Sequence, residues 1–79
     1  MYLIQSLSAG HTPSGNPKRV FVVYGEYCEV VGAFDEGYNG LDAVPQKFLS
    51  QHMLLPTVKV PHSEYKFWLK RGKAMQERV

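Results

Sequence analysis

Arg19-Val20-Phe21-Val22-Val23-Tyr24 is the stretch that decides the fold. It is the densest β-branched and aromatic run in the chain, and such side chains suit a pleated, packed surface. Its two alternating faces are both apolar: Val20, Val22 and Tyr24 on one, Phe21 and Val23 on the other. A strand able to bury both faces belongs in the middle of a sheet, with neighbours beside it and cover above and below.

Working outward, Tyr2 to Ser8 reads as a first strand, and Ala9 to Pro17 as a loop punctuated by two glycines and two prolines. Gly10 to Gly15 lacks the Gly-Lys-Ser/Thr ending of a phosphate-binding loop, so a hairpin connection is the expectation. Gly25-Glu26-Tyr27 turns the chain, and Cys28 to Phe34 returns as a third strand. Small Gly32 and Ala33 would let a helix approach closely, or Gly32 would mark a bulge. Leu41, Val44, Phe48 and Leu49 recur at helical spacing over Leu41 to Ser50, with Pro45 tolerable only in a first turn. Thr57 to Val60, between Pro56 and Pro61, reads as a short edge strand.

Ser63 to Arg78 is the clearest helix. Tyr65, Trp68, Leu69, Met75 and Val79 form its apolar stripe, interrupted by Gly72. That glycine costs about 1 kcal/mol relative to alanine in a helix, so it is either a close-packing point or the place where the helix frays. The resulting expectation is one α+β domain over residues 1–79. A small antiparallel sheet of three to four strands, in the order β-β-β-α-β-α, carries the C-terminal amphipathic helix on one face.

A chain of 79 residues with one cysteine closes no internal disulfide and must be held by packing, a partner or a second copy. The 44% hydrophobic content argues for a real core and against disorder. No positive charge precedes an apolar run at Met1 to Ser6, and no run reaches the ~20 apolar residues of a membrane span. With a single thiol, the expected location is cytoplasmic and no membrane partner is expected.

Charge is segregated along the chain. Val20 to Gln46 holds five acidic residues and no lysine or arginine; Lys59 to Val79 holds six basic residues against two acidic ones. The first candidate surface is therefore acidic and aromatic: Tyr27, Glu29, Asp35, Glu36 and Tyr38, with turn tyrosines as anchors and carboxylates able to mimic phosphates. The second is basic: Lys66, Lys70, Arg71, Lys73 and Arg78 on the last helix, with Phe67 off the apolar stripe. For each set the plainer alternative is a solvated face, or tyrosines leaning back onto the sheet.

Chemistry-bearing groups are sparse. Cys28 has carboxylates nearby, which oppose thiolate formation, and reads as a packing or edge-strand cysteine. His11, His52 and His62 are widely separated, and neither a zinc nor a calcium-loop spacing is present. No catalytic residue, metal or cofactor is expected. What remains is a small non-enzymatic protein-binding module or inhibitor, acting on another protein or a protein–nucleic acid complex. Compact chains of this size are often encoded by phages or mobile elements and block a host machine such as a CRISPR effector complex. The alternative is a nucleic-acid-binding module that uses the basic C-terminal helix with Lys18 and Arg19. A homodimer is compatible with either.

Overall fold

A computed structural model describes residues 1–76. Four strands, β1 (Tyr2–His11), β2 (Pro17–Tyr24), β3 (Val30–Asp35) and β4 (His52–Lys59), form one sheet in the order β3-β2-β1-β4. A 3-10 turn (Gly40–Ala43) and a short helix, α1 (Gln46–Leu49), precede β4; helix α2 (His62–Gln76) follows it. The fold is α+β, and the sheet is mostly antiparallel, with β2 paired to both β1 and β3 in that sense.

β2 is an interior strand, as its doubly apolar pattern requires: Val20, Phe21, Val22 and Val23 are all buried. On one face Phe21 and Val23 join Ile4, Val44 and Phe48. On the other, Val20 and Val22 join Leu7 and Ala33, beneath Tyr65, Trp68 and Leu69 of α2. Helical cover on both faces thus lets a four-residue apolar run be buried whole.

β4 departs from the antiparallel expectation. It pairs with β1 in parallel, from Tyr2 opposite His52 to Ser8 opposite Lys59. The cause lies in residues 36–51, which run the length of the sheet across one face and bring the chain back to the starting end. Such a return obliges the next strand to run parallel to β3 and β1. Pro45 sits in that crossover and splits the expected Leu41–Ser50 helix. Val44 before it is extended (φ −94°, ψ 131°), the conformation a following proline favours, so the turn and α1 are separate pieces. Val44 and Phe48 still reach the core.

β4 is also longer than Thr57–Val60. Met53 to Leu55 pair in step with Leu3 to Gln5, and the register then slips so that Val58 faces Leu7. The slip falls at Pro56, and the Gln5 side-chain amide donates to the Pro56 carbonyl at 2.6 Å, covering the break in the ladder. A second slip, between Val23 and Tyr24 on β2, leaves Val31 of β3 without an opposite residue. It sends Val31 to the Phe34 face and Val30 to the α2 face, where strict alternation would put Val30 with Phe34.

Gly72 is a close-packing point. A Cβ there would land on the Ala33 carbonyl oxygen and come within 2.9 Å of its carbon. The helix backbone therefore rests directly on β3, through a glycine on the helix and an alanine on the strand. The expected helix end, including Val79, lies outside the described residues.

Candidate functional site

The acidic and aromatic residues do not form one surface. Tyr27 and Glu29 sit in the turn between β2 and β3, closed by hydrogen bonds from Gly25 N to Glu29 O and from Cys28 N to Gly25 O. The Glu29 carboxylate also accepts from the Tyr27 amide. Asp35 is the last residue of β3, and Glu36 and Tyr38 follow it beside the β1–β2 hairpin, where the Tyr38 hydroxyl donates to the Asn16 side chain. The run of β3 from Val30 to Phe34, with roughly 20 Å between Glu29 and Asp35, separates the two groups. Tyr27 and Tyr38 are the two most exposed aromatic side chains, at 87% and 76%, so neither leans back onto the sheet.

Glu36 belongs to neither group as an exposed contact. It is buried, its amide donates to the Arg19 carbonyl, and one carboxylate oxygen pairs with the Arg19 guanidinium at 3.4 Å. Asp35 is exposed and accepts from the Tyr65 hydroxyl at 3.4 Å. Burial and the neighbouring Asp35 carboxylate raise the Tyr65 pKa above its ordinary value, since both oppose a phenolate.

Cys28 neither packs nor lies in a strand. It is exposed in the turn at φ +62°, the left-handed region a non-glycine residue seldom adopts. The turn needs such a residue to reverse direction, and only Gly25, three residues earlier, is conspicuous in the sequence. His11 lies at the other end of β1, and His52 hydrogen-bonds to the Leu49 carbonyl at 2.8 Å. Among the described residues no three His, Cys, Asp or Glu side chains gather as metal ligands would.

The basic residues, by contrast, come together. α2 places Lys66, Lys70 and Lys73 one turn apart on its outward side, with Arg71 adjacent, and all four are exposed. None of them forms an ion pair among the described residues. Arg78 lies outside the described residues. Phe67 stands within this group, 52% exposed, its ring edge-on to Trp68 at 5.1 Å. Arg71 lies over the Trp68 ring at 5.6 Å. Between α2 and the start of β3 is an open depression of about 660 Å³, walled by Val30, Phe67, Ala74 and Met75 and rimmed by Lys70 and Arg71. An apolar floor beneath two cations can hold an apolar side chain flanked by carboxylates.

A search of family models finds no match to this chain, and searches of curated proteins and of solved structures find none either. No helix among the described residues is long and apolar enough to cross a membrane.

Proposed function

We propose that this chain is a non-enzymatic protein-binding module that recognises an acidic protein surface through the outward side of α2. Phe67 and the depression beside it anchor the partner, with Lys70 and Arg71 at the rim and Lys66 and Lys73 further round the outward side of the helix. The observation that carries the reading is the half-exposed Phe67 ring beside Lys70 and Arg71, which form no ion pair among the described residues, at the mouth of an apolar hollow. Anchors of this kind, aromatic or arginine at the centre with charge around it, supply affinity and steer encounter. The Tyr27–Glu29 turn is a separate, smaller patch at one end of the sheet.

Within that class the proposed role is inhibition in the cytoplasm of a host machine by a phage or mobile-element protein. CRISPR effector complexes are the first targets to try. The second reading is nucleic-acid binding by the same helix. It is favoured by the same cations, with Phe67 as a stacking ring.

Pull-down from host lysate, at low and high salt and with or without nuclease, separates the two. A discrete protein retained after nuclease, and lost with Lys70→Glu/Arg71→Glu, supports the protein-binding reading. Capture abolished by nuclease, together with binding to random duplex that falls steeply with salt, supports nucleic acid. A partner retained in full by the double charge reversal would sink the assignment to α2.

A further inference from the structure

We propose that the segment taken by this side of α2 is a linear acidic peptide, whose two bulky apolar side chains seat in two adjoining hollows beside β3. The proposal rests on the reading of α2 given above and names the chemistry of its partner.

The depression at Phe67 is one of two that meet at Met75. The second, of about 160 Å³, follows residues 31–34 of β3, with Gly72 and Met75 of α2 on one side and Pro45 and Phe48 on the other. Met75 is unbranched and polarisable, a side chain that adjusts to what is laid on it. The first hollow, at about 660 Å³, is larger than one side chain fills, and the second suits a single apolar one. Together they make a concave, mainly apolar trough with a few polar groups, the form of a binding site for a run of residues.

Charge decides the kind of peptide. The residues lining the two hollows include three cations, Lys70 and Arg71 at the first and Lys47 at the second, and no aspartate or glutamate. None of the three forms an ion pair among the described residues. The nearest glutamates in the chain, Glu26 and Glu29, line a different hollow, where Glu26 pairs with the terminal amine. A segment with Asp or Glu beside its apolar side chains therefore meets a cation at each hollow, and a basic segment is repelled. Side chains hold it, and it adds no strand. The Glu36 amide bonds to the Arg19 carbonyl, so alternation turns the backbone groups of Ala33 away from β2. There Gly72 lies against the Ala33 carbonyl, and the helix covers that point of the edge.

Random dodecapeptides, displayed and selected on the immobilised full chain, test this. The expected result is enrichment of sequences with Asp or Glu beside Phe, Tyr, Trp or Leu. An enriched peptide lacking tryptophan should change the emission of Trp68, the chain's single tryptophan, whose ring lies edge-on to Phe67. Lys70→Glu/Arg71→Glu should weaken that peptide by roughly tenfold or more, and Lys47→Glu by a smaller factor, each with circular dichroism unchanged. No enrichment, enrichment of neutral or basic sequences, or affinity untouched by Lys70→Glu/Arg71→Glu overturns the proposal. Affinity untouched by Lys47→Glu overturns the second hollow. A folded partner captured from lysate through Lys70 and Arg71, with no peptide enriched, would overturn the linear segment and leave the assignment to α2 intact. A random single-stranded oligonucleotide bound through the same two residues, with no peptide enriched, would overturn both.

Discussion

The two edges of the sheet are built oppositely. At β3 the helix backbone is pressed onto the strand at Gly72 and Ala33, and Asp35 at the strand's end is tied to Tyr65. At β4 nothing among the described residues lies along the outer side, and three large apolar side chains, Met53, Leu54 and Val58, are about half exposed. One edge is closed by the chain's own last helix at the cost of a glycine in mid-helix. The other is left open, with only a register slip at Pro56 to interrupt it. Where a chain of this size has a single long helix to spend on cover, it can protect one edge and must leave the other for water or a partner.

The sharpest way to break this contrast is at Gly72. Helix propensity alone would make Gly72→Ala stabilising by about 1 kcal/mol. The Ala33 carbonyl in the path of the new Cβ reverses the sign, and the expected outcome is destabilisation of about 3 kcal/mol in a urea melt. A neutral or stabilised variant would show that α2 does not rest on β3.

A smaller effect is expected at the other tie of the same edge. The raised Tyr65 pKa means the folded state holds its phenolic proton more tightly than the unfolded chain does. That contribution is complete below about pH 10, where the unfolded tyrosine is still protonated. It is lost as pH climbs through the folded-state value, so stability should decline above pH 10. Tyr65→Phe should lessen that decline in a series of melts at alkaline pH, and an unchanged profile would count against the contact with Asp35.

The smallest effect belongs to the open edge. Met53→Ala should shift stability by no more than about 0.5 kcal/mol, because a half-exposed side chain gives up little on truncation. A large loss there would mean that β4 is covered after all.

Much of this architecture was legible in residue patterns. The doubly apolar Val20–Val23 run placed β2 inside the sheet, and Tyr65, Trp68 and Leu69 marked the inner side of α2. Gly72 with Ala33 was visible as a possible close approach. Two things were not legible. The parallel pairing of β4 depends on residues 36–51 travelling the sheet's whole length, a matter of global path that no local period encodes. The strand character of Met53-Leu54-Leu55 was masked by Pro56, which local rules read as a boundary although here it sits at a bulge. The acidic set shows the corresponding limit for surfaces: neighbours in sequence, Tyr27 through Tyr38, are parted by the very strand that joins them. The basic set survived because one helix carries it, and helical spacing converts sequence distance directly into a shared side.

The parallel pairing of β1 with β4 also bears on the order of assembly. Tyr2 faces His52, so β1, synthesised before the other three strands, waits for the fourth before both its sides are filled. The hairpins of β1, β2 and β3 can form early from nearby residues, yet both their apolar surfaces stay bare until the crossover and α2 arrive. Closing so long an intervening loop delays folding more than it weakens the finished structure. A nascent chain stalled before His52 would therefore expose the very residues that later form the core, and chaperone binding should concentrate in that interval.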